Sequence, residues 1–151
     1  MQIQIQKGED SDLDAIARFQ IAMAYETENY RLDPETVLKG VGEVLNNEKL
    51  GAYYVAVVEN KVVGSLLTTY EWSDWRNGTV LWIQSVYVDL LFRKRGVYAA
   101  LYSHIKVLVA DDKSLKGIRL YVDESNQKAM EVYARLGMNG EHYRVFEWMK
   151  E

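Results

Sequence analysis

Between Val80 and Leu108 the apolar residues change their period. Val80 to Asp89 is a run rich in β-branched and aromatic residues, the pattern of a buried strand. Beyond Gly96 the apolar positions Val97, Leu101, Ile105 and Leu108 recur at helical spacing, and the helix ends near Asp111-Asp112. A strand that passes into an amphipathic helix must bury both apolar faces together, which points to a layered α/β architecture. The connection is basic: Arg93-Lys94-Arg95-Gly96-Val97-Tyr98. At the start of a helix, unpaired backbone N–H groups and the helix dipole favour an anion, and three cations add to that field. Gly96 lets the backbone approach a ligand with no Cβ in the way, so a pyrophosphate fits this chemistry. A solvated basic turn, with glycine chosen for its dihedrals, fits the same spacing. Neither GxxxxGK[ST] nor GxGxxG occurs, so nucleotide hydrolysis and hydride transfer lose ground.

The remaining elements read as follows. The opening Met1-Gln2-Ile3-Gln4-Ile5-Gln6 alternates as a strand, and Ser11-Asp12-Leu13-Asp14 offers a capping box for a helix carrying Leu13, Ile16, Phe19 and Met23 inward. Asp33-Pro34 is a cap followed by proline at the first helical position, with Val37, Leu38, Val41 and Leu45 behind it. Tyr53 to Val58 and Val62 to Thr69 are strand-like runs joined through Glu59-Asn60-Lys61 as a hairpin. Glu71 to Asn77 is polar and contains tryptophan, a loop closed by Gly78. Ile118 to Val122 is a short strand. Asn126 to Leu136 is a helix with Ala129, Val132, Tyr133 and Leu136 inward, stopped by Gly137, and His142 to Met149 is a closing strand. The resulting order, β-α-α-β-β-β-α-β-α-β, predicts an α/β mixed sheet flanked by helices, α+β by some schemes.

At 151 residues, 48% of them hydrophobic, the chain suits one core, and a single domain over 1–151 is expected. With 18 basic and 22 acidic residues the net charge is −4, which gives no electrostatic reason for a nucleic-acid or membrane partner. Cysteine is absent, so thiolate nucleophiles and disulfide scaffolds are excluded. The N-terminus lacks the basic start and continuous apolar run of a signal peptide, and no stretch reaches membrane-spanning length, so a cytoplasmic protein is expected. His104 and His142 have no metal-like spacing with acids, and no metal is expected.

Gln84-Ser85-Val86-Tyr87-Val88-Asp89 followed by Arg93-Lys94-Arg95-Gly96-Val97-Tyr98 resembles the central strand and acyl-CoA loop of the GNAT acetyltransferases, whose loop reads Gln/Arg-x-x-Gly-x-Gly/Ala. Asn126 to Gly137, Asn-x-x-Ala-x-x-x-Tyr-x-x-x-Gly, is similar to a second signature of that family. Tyr98 departs from the pattern, standing where the family has Gly or Ala. The resemblance implies the GNAT acyl-CoA N-acyltransferase fold and acetyl-CoA as cosubstrate. It also implies that Val86, Tyr87 and Val88 pair by backbone with the pantetheine arm, as an added strand does. Arg93, Lys94, Arg95, Gly96, Val97 and Tyr98 would cradle the pyrophosphate, and Asn126 would hydrogen-bond the pantetheine or position the loop beside it. On local sequence Asn126 is equally a helix N-cap.

Acetyl transfer from a thioester needs a neutral amine, a polarised carbonyl and an acid for the departing thiolate. Tyr133 matches the family's tyrosine that reaches the cofactor sulfur; by periodicity alone it is an ordinary core aromatic. Gln84 stands where polyamine acetyltransferases of the superfamily carry a glutamate base. An amide cannot take up the proton, so Gln84 would orient a water or the amine instead. Carboxylates and tryptophans suit a cationic amine through charge pairing and cation–π contact. Glu71, Trp72, Asp74 and Trp75, with Glu26 and Glu28, are therefore candidate acceptor-binding residues, and a solvated loop with tryptophans over the core is the plain alternative. The acceptor classes are a small amine or polyamine first, then a protein N-terminus or lysine. The rivals are a silent acyl-CoA-binding regulatory domain and, against the charge balance, a nucleic-acid module built on Arg93-Lys94-Arg95. A homodimer is left open.

Overall fold

The computed structural model, which describes residues 1–150, begins with the alternating segment as β1 (Gln4–Lys7). A 3-10 turn at Asp10–Asp12 leads into α1 (Leu13–Glu28). The cap falls earlier than the sequence predicts: Glu9 N–H donates to Asp12 Oδ2 at 2.9 Å and Asp12 N–H donates to the Glu9 backbone carbonyl at 2.8 Å, so Asp12 closes the 3-10 turn. Helix α2 (Pro34–Leu45) starts as expected, with Thr36 N–H donating to Asp33 Oδ2 at 3.1 Å.

Strands β2 (Ala52–Val58) and β3 (Lys61–Ser73) form a hairpin closed by Glu59 and Asn60 alone, both at positive φ (49° and 63°), the geometry whose twist matches that of paired strands. Strand β3 does not stop at Thr69. It continues through Tyr70, Glu71 and Trp72 in register with Leu81, Val80 and Thr79 of β4 (Gly78–Val88), and only Asp74 to Asn77 turn. The polar residues that suggested a loop are accommodated because one sheet face carries partners for them. From β4 a 3-10 turn (Leu90–Phe92) and the basic loop lead to α3 (Val97–Asp111), and β5 (Leu115–Arg119) returns parallel to β4. The expected strand Ile118 to Val122 therefore lies three residues earlier, fixed by the pairing of Leu81 with Ile118 and Trp82 with Arg119.

The sheet order is β1-β2-β3-β4-β5, antiparallel except for the last pair. Tyr53, Val55 and Leu67 of one face pack with Ile16 and Ala17 of α1 and Val41 of α2. The other face receives α3, whose Val97, Leu101 and Ile105 are buried. Burying each such aliphatic side chain contributes roughly 1.5–3 kcal/mol. The contact is close at Gly64, where a Cβ would meet Val97 Cγ1 and the Tyr87 carbonyl at 3.1 Å.

These residues, Met1–Arg119, form one compact unit, and Leu120–Glu151 forms a second. In the second, α4 (Gln127–Arg135) is capped by Asn126, whose Oδ1 accepts from Ala129 N–H at 3.1 Å. It ends at Gly137 (φ 88°), with Met138 N–H reaching back to the Tyr133 carbonyl at 3.1 Å. The expected closing strand His142 to Met149 does not form among the described residues. Alternation is present there, but a strand needs a ladder, and no described strand edge pairs with it, so Tyr143, Phe146 and Trp148 stay exposed.

Candidate active site

Strand β4 carries the geometry that matters. Its pairing with β5 ends at Trp82 with Arg119, so from Ile83 onward no strand covers that side of β4 among the described residues. On the β3 side the register slips: Ser65 faces Tyr87 and Leu67 faces Gln84, leaving Ser85 and Val86 opposite Leu66 alone. Ser85 takes φ 55° to make this bulge, an uncommon conformation for a residue with a Cβ. The bulge re-aims the end of β4, and the open edge exposes backbone donors and acceptors to anything that can lie beside it as a strand.

That edge leads to the basic loop. Lys94 (φ 61°) and Gly96 (φ 83°) turn the chain into α3, no side chain caps the helix, and a Cβ on Gly96 would meet nothing within 4 Å. The first N–H groups of α3 thus have no side-chain cap, the arrangement that accepts phosphate oxygens. Tyr98 leaves that space clear: its phenol oxygen is buried and its ring lies beside that of Tyr102, one turn along α3, with centroids 6.3 Å apart.

Arg93 is tied elsewhere. Its Nε donates to the Val88 carbonyl at 2.8 Å, its Nη2 pairs with Glu26 Oε1 at 2.8 Å, and its guanidinium lies 5.1 Å from the centre of the Tyr87 ring. Tyr87 donates its hydroxyl to Glu26 Oε2 at 2.5 Å and stacks on Phe19 of α1 at 5.1 Å. Partial burial works against the Glu26 carboxylate, but the hydrogen bonds from Tyr87 and Arg93 outweigh it and hold Glu26 below the usual glutamate range. Burial, together with the Glu26 charge, pushes the Tyr87 phenol up to about 12.

The register also defines one face of the sheet. Leu67, Thr69 and Glu71 of β3 share it with Gln84 and Trp82 of β4 and Arg119 of β5, the face on which Leu67 packs against α1. Gln84 Nε2 donates to Thr69 Oγ1 at 2.9 Å, which fixes the amide and directs its carbonyl away from Thr69. Trp82 Nε1 donates to Glu71 Oε1 at 2.7 Å, and Arg119 pairs with Glu71 Oε2. The indole bond, helped by the Arg119 hydrogen bond and charge, outweighs partial burial and holds the Glu71 carboxyl below the usual glutamate range. Trp72 follows Glu71 on the strand and so points to the opposite face, while Asp74 and Trp75 lie exposed in the β3–β4 turn. The structure thus sets Gln84, Glu71 and Tyr87 on one sheet face, joins Glu26 to Tyr87, and separates Trp72 and Trp75 from Glu71. Glu28 lies exposed at the end of α1. Trp82, Thr69 and Arg119 escape sequence reasoning; the period-2 pattern around Gln84 is the one signal that could have put Trp82 on its face.

In the second unit, Asn126 is occupied as the α4 cap, and burial raises the Tyr133 phenol, which therefore keeps its proton at neutral pH. His104 packs against Tyr54 with ring centroids 5.4 Å apart. Among the described residues no helix is long and apolar enough to cross a membrane.

An open strand edge that runs into an uncapped helix start is the arrangement that the resemblance to an acyltransferase calls for. Residues 14–138 match the model of the Acetyltransferase (GNAT) family, and the chain belongs to that family. A possible acetyltransferase from Clostridium difficile 630 is 42% identical, with 100% of this chain and 99% of that one covered and a TM-score of 0.92. Two more distant structures share the fold. An aminoglycoside acetyltransferase from an uncultured soil metagenomic sample, solved with sisomicin, is 19% identical over 99% of this chain and 96% of its own, TM-score 0.75. AAC(6')-Iy, solved with the bisubstrate analog CoA-S-monomethyl-acetylneamine, is 15% identical over 99% of both chains, TM-score 0.78. None of the curated proteins compared with the chain matches it.

Proposed function

We propose that this protein transfers an acetyl group from acetyl-CoA to the primary amine of a small molecule, by direct attack in a ternary complex. The observation that carries the proposal is the uncovered edge of β4 from Ile83, which runs from the Ser85 bulge to the uncapped start of α3. A pantetheine arm can pair with that edge through Val86, Tyr87 and Val88, as an added strand would. Its pyrophosphate then meets the N–H groups of Gly96, Val97 and Tyr98, with Lys94 and Arg95 adding charge. The CoA-linked analog held by a fold relative and the aminoglycoside bound by another support a CoA donor and a small-molecule acceptor.

In this proposal acetyl-CoA supplies the acetyl group as a thioester. Gln84, fixed by Thr69, accepts a hydrogen bond from the incoming amine and aligns its lone pair. As the carbon–sulfur bond breaks and the carbon–nitrogen bond forms, the sulfur takes a proton from the tyrosine that the family resemblance assigns to it, Tyr133; the excess proton on nitrogen leaves to water, and the phenolate is reprotonated from water. Asn126 holds the first turn of the helix that carries Tyr133. Both oxygens of Glu26 and of Glu71 already accept hydrogen bonds from neighbouring donors, which stabilise the charged forms and disfavour either carboxylate as the general base. The same fact favours the second reading, a silent acyl-CoA-binding domain. Calorimetric binding of acetyl-CoA followed by free-thiol release with a panel of amines separates the two. Binding with amine-dependent thiol release is expected, binding without release leaves the silent domain, and no binding rejects both.

A further inference from the structure

Glu26 lies in the last turn of α1, where the helix dipole disfavours an acid and the turn itself holds no basic residue. Its partners come from far along the chain: Oε1 pairs with Arg93 Nη2 at 2.8 Å and Oε2 accepts from the Tyr87 hydroxyl at 2.5 Å. Arg93 closes the ring, because its guanidinium also lies 5.1 Å from the centre of the Tyr87 ring and its Nε donates to the Val88 carbonyl at 2.8 Å. That carbonyl belongs to the uncovered edge. Asp89 N–H donates to the Val63 carbonyl of β3 at 2.8 Å, so the alternation of the strand turns the backbone groups of Val88 the other way. Asp89 acts on Tyr87 through its charge, while its own oxygens serve Leu91 N–H at 3.2 Å and Lys61 at 4.0 Å.

The bulge delivers Tyr87 to this group. Gln84 faces Leu67 and Tyr87 faces Ser65, both on the sheet face covered by α1, whereas residues 84 and 87 of a regular strand point to opposite faces. The extra residue at Ser85, held at φ 55°, removes that opposition, and Tyr87 stacks on Phe19 of α1 at 5.1 Å. Three side chains thus fasten the end of β4 to α1 and to the first residue of the basic loop. We infer that Glu26, Tyr87 and Arg93 form one latch that sets the end of β4 in the shape with which the pantetheine arm pairs, Arg93 being a positioning residue and not a ligand of the pyrophosphate. This role rests on the acyl-CoA reading above and sets aside, for Arg93, the phosphate contact that the basic loop suggests in the sequence. The guanidinium is committed at Nε, at Nη2 and over an aromatic face, so a move toward phosphate costs all three contacts.

CoA and 3′-phospho-ADP, which carries the phosphates of CoA without the pantetheine arm, separate the two roles by calorimetric titration at about 0.15 M salt, where distant charges are screened. Arg93→Gln should weaken CoA by about fivefold or more, the effect of charged contacts at a partly exposed site, and 3′-phospho-ADP by less than about twofold. Glu26→Gln should weaken CoA as well, and the double variant should lie within about twofold of the weaker single one, since the contacts act as a unit. Equal loss of both ligands in Arg93→Gln overturns the role, and so does unchanged CoA affinity. CoA binding tightened by more than about threefold in Glu26→Gln also overturns it, because an arginine freed from its carboxylate would then be serving phosphate. That sign decides even where 3′-phospho-ADP binds too weakly to titrate. Tyr87→Phe removes one hydroxyl bond and keeps the stack on Phe19; should Arg93→Gln fail to fold, Tyr87→Phe carries the same expectation. A wild type that binds neither ligand would instead reject the acyl-CoA reading, and amide exchange in the free protein then decides the latch. Exchange at Val88 and Asp89 about tenfold faster in Tyr87→Phe or Arg93→Gln, with Val80 to Trp82 unchanged, supports it, and equal exchange overturns it.

Discussion

Gly96 allows the phosphate cradle to be tested apart from the fold. Its φ of 83° is strained for any residue with a side chain, and the space where a Cβ would lie is open to at least 4 Å. Gly96→Ala therefore costs only the backbone strain, about 1–2 kcal/mol, and should lower Tm by roughly 2–8 °C in a protein of this size. Gly96→Asp carries the same strain and, in open space, no steric clash. Its added effect on ligand is Coulombic: one negative charge about 4 Å from a phosphate costs ~1 kcal/mol if fully solvated and ~4 kcal/mol at a partly buried site. Acetyl-CoA affinity should thus fall a further fivefold to about a thousandfold in Gly96→Asp relative to Gly96→Ala, at similar Tm. Calorimetric titration of both variants, with Tm from differential scanning, measures the two effects separately. If both bind acetyl-CoA within about threefold of each other, no phosphate lies at this helix start.

Tyr133→Phe should lower kcat by about ten- to a thousandfold while leaving the Kd for acetyl-CoA unchanged, because one positioned acid is lost and no binding contact is; unchanged kcat with the best amine would reduce Tyr133 to packing. Glu26 and Glu71 titrate below the ordinary glutamate value of about 4.5, so their ionised forms favour the folded protein. That contribution is complete above the ordinary value and is lost as pH falls through the lower folded values. Urea midpoints should therefore drop on acidification below about pH 4.5, and drop less steeply in Glu26→Gln with Glu71→Gln; equal steepness would show that other groups govern acid stability.

The sequence alone determined what depends on neighbours a few residues away. The change of period from Val80 to Leu108 placed β4 and α3, Asp33-Pro34 and Asn126 marked helix starts, and Gly137 marked a stop, since caps and amphipathic faces are local. It also located the basic loop and, with Gln84, the strand face beside it. The closing strand at His142 was not decidable this way, because alternation supplies a face and cannot supply the edge that must pair with it. The same limit hid the extension of β3 to Ser73, the three-residue shift of β5 and the bulge at Ser85, all consequences of register between strands. Only the tertiary structure decided which charges meet. Glu26 and Arg93 are 67 residues apart, and Glu71 and Arg119 are 48. Period tells where a side chain points, while folding selects its partner; that selection paired Glu26 with Arg93 and Glu71 with Arg119.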